Sequence, residues 1–265
     1  MKDQIKTDFL VLGSGIAGLT FAIKIAERFP SKKVLIVTKA DESESNTKYA
    51  QGGIAVVIDE VEDSFEKHIE DTMKAGAGIN DRAVVEMVVK EGPDRLREFI
   101  DWGAQFDIKD NGKINLGKEG GHSENRIVHH KDITGFELEQ TLLGKIAQLK
   151  NIEVNQHCYA IDLITQHHLG IDVKRNGAIN CYGAYVLDQK NHQINTIVSR
   201  FTLMATGGVG QVYQTTTNPI IATGDGIAMA YRAKAKISDM EFIQFHPTAL
   251  YEPGTSPAFL ISEAV

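Results

Sequence analysis

Cysteine is scarce in this chain, with Cys158 and Cys181 alone among 265 residues. They form no C-x-x-C pair and have no metal-ligand spacing, which argues against a disulfide framework and points to a reducing compartment. Long apolar runs are missing too: none approaches the ~18 residues of a transmembrane helix. The first apolar stretch is short and broken by glycines, so it does not read as a signal peptide. Positive charge is outweighed, 28 Lys and Arg against 35 Asp and Glu, for a net charge of −7. That balance argues against a general binder of nucleic acid or anionic membrane, although a local cationic pocket stays open. Internal repeats and low-complexity tracts are absent. His129 and His130 have no acidic or cysteine partner at ligand spacing, so no metal is expected. A soluble, cytoplasmic chain is expected, long enough for one large or two ordinary domains.

What the chain does have is DFLVLGSGIAGLT, residues 8–20. Phe9 to Leu12 reads as a strand buried on both faces. It runs into Gly13-Ser14-Gly15-Ile16-Ala17-Gly18, which fits G-x-G-x-x-G, and Ile16, Leu19, Ile23 and Ala26 then recur at helical spacing. In a strand–turn–helix context the first glycine allows the tight turn and the second lets a pyrophosphate approach. The third packs helix on strand, and the helix N-terminus faces the phosphates. FAD and NAD both remain open here. A second strand is expected at Val34 to Val37, ending in Thr38-Lys39. An NAD site places an acid about 20 residues past the glycines, on the ribose. Lys39 stands there instead, which weakens NAD.

Tyr49-Ala50-Gln51-Gly52-Gly53 follows, where paired glycines let backbone lie against a flat ligand. Residues 62–75 and 81–102 read as helices. Asp81 is the expected N-cap, Val84, Val85 and Val88 the buried face, and Leu96, Phe99 and Ile100 its continuation. Pro93 is expected to open a new helix, and the acidic run from Asp59 to Asp71 reads as a solvated face. Residues 103–135 are polar and glycine-dense; so long an irregular segment is usually functional. It holds Glu119-Gly120-Gly121-His122-Ser123 and the basic cluster Arg126, His129, His130 and Lys131. Helix is expected again from Gly135 to Leu149. Strands of a meander are expected at 152–154, 160–164, 171–173 and 184–187, with His157, His167, His168 and His192 on the surface. Phe201 to Ala205 is a further strand, leaving through Thr206-Gly207-Gly208. A helix follows at 227–233, for which Asp225 could be the N-cap. Three of the six prolines fall between Pro247 and Pro257, so a change of architecture is expected near residue 240.

Taken together, VLGSGIAGL, YAQGGIA, ATGGVGQVY, TNP, TGDGIAMA and EFIQFHPTALY, in this order, resemble the flavoprotein family of L-aspartate oxidases and of succinate dehydrogenase and fumarate reductase flavoprotein subunits. The resemblance implies an α/β fold: a Rossmann-like FAD-binding domain with parallel sheet and β-meander over 1–240, and the start of an α+β capping domain at 241–265. It implies FAD on Gly13, Ser14, Gly15, Ala17, Gly18, Lys39, Asn46 and Thr47, on Tyr49, Ala50, Gln51, Gly52 and Gly53, and on Ala160, Gly207 and Asp225. Asn46 stands where succinate and fumarate enzymes usually carry a flavin-linked histidine, so non-covalent FAD is expected. Glu119, within KEGGHS, matches a glutamate of the aspartate oxidases, where a carboxylate opposite the α-ammonium favours L-aspartate over succinate. Gln244, His246 and Ser262 match positions that bind substrate carboxylate, Ser262 with serine for the usual threonine.

The implied reaction is oxidation of L-aspartate to iminoaspartate, hydride passing from C2 to flavin N5, with O₂ or fumarate taking the electrons. Iminoaspartate feeds quinolinate synthesis in de novo NAD formation, which implies a functional link to quinolinate synthase. Relatives continue past the point where this chain stops, carrying an arginine that transfers the proton and the last FAD segment. The chain is therefore expected to be an N-terminal fragment. Two other readings stand beside this one: a soluble fumarate reductase or succinate dehydrogenase flavoprotein, and a non-catalytic FAD-binding fragment.

Overall fold

A computed structural model describes residues 4–59, 61–173, 177–255 and 257–261. The chain divides into two units: residues 1–48 with 142–259, and residues 49–141 with 260–265. Neither unit ends at residue 240.

The first unit is built on a sheet in the order β6-β2-β1-β9-β8-β7 among the described residues. Its strands are β1 (Ile5–Leu12), β2 (Val34–Val37), β6 (Ile152–Asn155), β7 (Cys158–Thr165), β8 (Cys181–Asp188) and β9 (Gln193–Met204). β6, β2, β1 and β9 run parallel, with Leu10 opposite Leu35 on one side and Thr202 on the other. β9, β8 and β7 form an antiparallel meander. The α/β class and the meander are as expected, with strand bounds that differ. Residues 152–155 extend the parallel sheet beside β2 and do not belong to the meander. Residues 171–173 form no strand. The strand expected at 201–205 begins at Gln193, because β8 offers a continuous antiparallel partner from Asp188 to Gly183.

The core of this unit is Leu10, Leu12, Leu35, Val37, Leu163, Ala184, Val186, Ile197 and Met229. Helix α1 (Ile16–Arg28) buries Leu19, Ala22, Ile23 and Ala26, while Ile16 is 39% exposed. Helix α5 (Asp225–Arg232) has Gly224 as its N-cap in a left-handed conformation, φ 76°, so Asp225 is the first helical residue and not the cap.

The second unit has a small antiparallel sheet, β3 (Ile54–Ala55), β5 (Ile127–Val128) and β4 (Leu116–Gly117), in the order β3-β5-β4. Its core joins Val56, Leu96 and Val128 to Ile54, Phe106, Ile114 and Leu116. Helix α2 (Phe65–Ala75) is capped by Ser64, whose Oγ accepts from the Lys67 N–H. Asp81 caps α3 (Arg82–Asp101), as its side chain accepts from Ala83 and Val84 N–H groups. α3 runs through Pro93 without a break: a proline removes one N–H bond, and the rest of a long helix carries it. The buried face also differs from expectation. Leu96 and Phe99 are inside, as expected, and Val89 joins them, whereas Val84, Val88 and Ile100 are exposed. Helix α4 (Thr134–Ile146) begins one residue early and ends three residues before the expected Leu149. No helix among the described residues is long and apolar enough to cross a membrane.

Candidate functional site

The turn from β1 into α1 shows why its glycines are there. Gly13 has φ 110°, and a Cβ on it would meet the Ala205 carbonyl oxygen at 2.2 Å. A Cβ on Gly18 would meet the Gly13 carbonyl oxygen at 2.1 Å. These two pack the chain against itself. Gly15 differs: its Cβ would stand in ordinary contact with the Thr47 Oγ1 at 3.5 Å and the Ser45 Cβ at 3.7 Å, so the protein itself does not require a glycine there. No side chain caps α1 from Gly15. The Thr47 Oγ1 accepts the Ile16 N–H at 3.0 Å, and the next N–H groups have no carbonyl within the helix to bond.

A cavity of about 460 Å³ opens over this turn, within the ~300–1,000 Å³ range of cofactor sites. Of the residues expected to hold a dinucleotide, Gly13, Ser14, Gly15, Ala17, Lys39, Asn46, Thr47, Ala160, Gly207 and Asp225 line it. All belong to the first unit. Gly18 stands behind them as a packing residue. Sequence reasoning passed over Thr38, Glu44, Ser45 and Thr206, which line it too. Thr38 accepts a buried hydrogen bond from the Ser14 Oγ at 3.0 Å. Thr206 packs its hydroxyl where a Cβ on Gly226 would stand. The signal for both was position: each lies at the carboxyl end of a parallel strand, where open α/β sheets bind ligands.

Lys39 does not stand as a lone cation. Its ammonium pairs with the Asp225 carboxylate and donates to the Thr223 Oγ1 at 2.6 Å. The Tyr159 and Thr223 hydroxyls also donate to Asp225 Oδ1, at 3.0 and 2.8 Å. Burial by itself raises the Asp225 carboxyl; the bonds from Lys39, Thr223 and Tyr159 outweigh it and hold it below the usual carboxylate range. Burial, then Asp225, pushes the Tyr159 phenol up. This end of the cavity is thus neutralised, consistent with a ribose in place of an extra phosphate. A glycine turn that lines the cavity, a helix start there with only its first N–H taken by a side chain, and a position at the strand ends fit a dinucleotide.

The remaining expected residues have their own surroundings. Gln51 exchanges hydrogen bonds with the backbone of Leu260, Oε1 accepting at 3.0 Å and Nε2 donating at 3.5 Å. The Ala50 carbonyl accepts the Gly135 N–H at 2.9 Å, and Tyr49 is half-buried. A Cβ on Gly53 would meet the Val128 carbonyl oxygen at 2.4 Å, so this glycine is needed for packing against β5. The Gly53 N–H donates to Glu119 Oε1 at 3.3 Å. Glu119 belongs to the same, second unit and is exposed, its other carboxylate oxygen lacking a protein donor among the described residues. Gln244, exposed, and His246, half-buried, lie in an irregular stretch of the first unit, where Tyr213 and Phe245 meet edge to face at 5.1 Å. Ser262 lies outside the described residues.

In the acidic run Glu62, Glu66 and Glu70 are exposed, as expected of a solvated face, but Asp63 and Asp71 turn inward to Arg126. Arg126 is fully buried and Asp63 nearly so, joined by a two-pronged ion pair. Among the described residues no group of three or more His, Cys, Asp or Glu has a metal-holding arrangement.

Comparison with known proteins follows the same lines. The chain is 47% identical to a chloroplastic L-aspartate oxidase of Oryza sativa subsp. japonica, over 97% of this chain and 40% of that protein. It is 43% identical to an L-aspartate oxidase of Yersinia pestis, over 98% of this chain and 48% of that one. The E. coli quinol fumarate reductase superposes with a TM-score of 0.86 at 30% identity, over 99% of this chain and 42% of that one. The chain thus spans less than half the length of these relatives. The FAD binding domain family matches residues 8–265. FAD is the cofactor that the cavity over Gly13 to Gly18 is built to take, and the chain belongs to the FAD binding domain family.

Proposed function

We propose that this chain is the FAD-binding part of an enzyme that oxidises L-aspartate to iminoaspartate. The observation that carries the reading is Glu119. Its carboxylate is exposed and held through one oxygen by the Gly53 N–H, leaving the other for a ligand. Identity of 43 to 47% with proteins named L-aspartate oxidase supports the same assignment. FAD, when bound, supplies the two-electron acceptor. The chain's own residues would bind and orient it: Gly15 and the start of α1 would take the pyrophosphate, and the Lys39–Asp225 pair, which lines the same cavity, would hold a neutral part of the nucleotide such as the ribose. Tyr49, Ala50, Gln51, Gly52 and Gly53 join the cofactor site on resemblance. On the resemblance, Glu119 is the residue assigned to the α-ammonium, and Gln244, His246 and Ser262 are those assigned to the carboxylates.

Asn46, a residue lining the cavity, cannot form the histidyl bond to flavin, so FAD is held non-covalently. Acid precipitation should leave the yellow colour in the supernatant; colour in the pellet contradicts this. O₂ or fumarate as acceptor, a link to quinolinate synthase, a cytoplasmic location and a capping domain beginning at 241 complete the reading.

The likeness to fumarate reductase keeps one rival in view, a dicarboxylate enzyme that ignores the ammonium. Glu119→Gln in the full-length protein separates the two. A charge-assisted bond is worth about 1.5–3 kcal/mol, so kcat/KM for L-aspartate should fall about 10- to 100-fold. Fumarate reduction, which has no ammonium to read, should change by less than about threefold. Equal losses on both substrates reject the assignment.

A further inference from the structure

An exposed carboxylate reads an ammonium well only if something holds it still. Glu119 stands in the irregular loop between β4 and β5. The loop turns back on itself at Glu119–His122, where the His122 N–H donates to the Glu119 carbonyl at 3.3 Å. Gly121, at φ 83°, takes the left-handed position that such a turn requires. Ser123 then gives both its N–H and its hydroxyl to Asp71 Oδ2, each at 2.8 Å. Lys118 donates to the Ser123 carbonyl at 2.8 Å, closing the loop from its other side.

Asp71 lies on α2, and its anchor is Arg126. The guanidinium Nη1 meets Asp71 Oδ2 at 2.5 Å. The Nε and Nη2 atoms meet Asp63 Oδ2 and Oδ1 at 2.8 and 2.7 Å, a fork whose geometry fixes the plane of the group. The same Nη1 lies 3.3 Å from His122 Nδ1, and the His68 ring stands edge-on to His122 at 5.7 Å. Arg126 is fully buried, so this is a rigid base and not a mobile surface pair. Asp71 joins the two halves: one oxygen takes donors from the buried base and from the Glu119 loop.

We propose that Asp71 is a positioning residue for substrate recognition, clamping the Glu119–Ser123 turn to α2 so that the Glu119 carboxylate holds one place. The proposal rests on the reading of Glu119 as the partner of the α-ammonium. Without the clamp the turn is free to fray, and the entropy of holding the carboxylate is then charged against L-aspartate binding. A ligand with no ammonium does not use that carboxylate and does not notice.

The test is Asp71→Asn in the full-length, flavin-loaded protein, a change that keeps size and removes charge. Two readouts are taken. Amide exchange at residues 119–124 should quicken about tenfold or more, with residues 65–70 of α2 unchanged, since two charge-assisted bonds to the turn weaken. KM for L-aspartate should rise about tenfold while KM for fumarate stays within about twofold, with little change in kcat. Ser123→Ala, which removes the hydroxyl's bond to Asp71 and its longer contact with Arg126 Nη2 at 3.4 Å but leaves the Arg126–Asp63 and Arg126–Asp71 pairs in place, should move both readouts the same way by less. Unchanged exchange in the turn overturns the clamp. Faster exchange with both KM values rising together overturns the positioning role. Glu119→Gln run alongside keeps the two ideas apart. If it separates the substrates and Asp71→Asn does not, the clamp's role fails alone. If it does not separate them, the Glu119 reading fails and takes the role with it.

Discussion

Gly13 and Gly15 are two residues apart and are glycine for opposite reasons. Gly13 holds φ 110° with the Ala205 carbonyl oxygen in the space of a Cβ. Gly15 is extended, φ −79°, with no protein atom pressing on it. Gly13→Ala should therefore destabilise the protein itself by more than about 2 kcal/mol, from backbone strain and displacement of β9. Gly15→Ala should leave the urea midpoint of the FAD-free protein unchanged, and its methyl group should weaken FAD binding about tenfold or more, since backbone approach to the pyrophosphate is lost. Titrating each variant with FAD and with urea checks both. A Gly15 variant that unfolds as readily as the Gly13 one contradicts the division of roles. Both glycines were legible in the sequence, because their constraint is local and strand, turn and helix are adjacent. The Arg126 base was not. Asp63 and Asp71 look like members of a solvated acidic run until a buried cation more than fifty residues away claims them. Burial of a charge depends on its partner, and sequence spacing does not name the partner.

At the scale of elements, periodicity located the helices well and their faces less well. α3 shows why. Val84 and Val88 repeat at helical spacing, yet the face that meets Val56 and Val128 carries Leu96, since packing partners choose among apolar stripes. β6 shows the same limit: its parallel partner β2 is more than a hundred residues away, and nothing local distinguishes it from a meander strand. What joins α2 to the Glu119 loop is electrostatic, and its strength has a pH signature. Burial alone raises the Asp71 carboxyl, but the Ser123 N–H and hydroxyl and the Arg126 guanidinium outweigh it and lower it from 3.8 to about 2. A depressed carboxyl contributes stability that is present above its unfolded value and lost as pH falls through the folded one. The contribution, about 2 kcal/mol, should thus be complete above pH 5 and drain away between about pH 4 and 2. Urea unfolding of the protein and of Asp71→Asn across that window checks it. The gap between the two should close toward pH 2; a constant gap rejects the ionic origin.

At the scale of the whole chain, the two units are interleaved in sequence: 49–141 is inserted between two parts of the first unit. That arrangement is invisible to a reading that moves along the chain, where proline density marks only a change of architecture near residue 240. The cavity nevertheless draws on both parts of the first unit, residues 12–17, 37–39 and 44–47 from before the insertion and 160, 204–208, 221, 225 and 229 from after it. FAD binding should therefore tie together segments that are far apart in sequence. Adding FAD at about 100 times its Kd to the flavin-free protein should stabilise it by about 2.7 kcal/mol. Slowed amide exchange should appear at the β1–α1 turn, at Thr38 to Thr47, at Ala205 to Gly208 and at the start of α5. α2 and α3, which supply none of the lining, should keep their rates. Protection limited to the β1–α1 turn would mean that the turn alone holds the nucleotide and that the strand-end residues after the insertion do not take part.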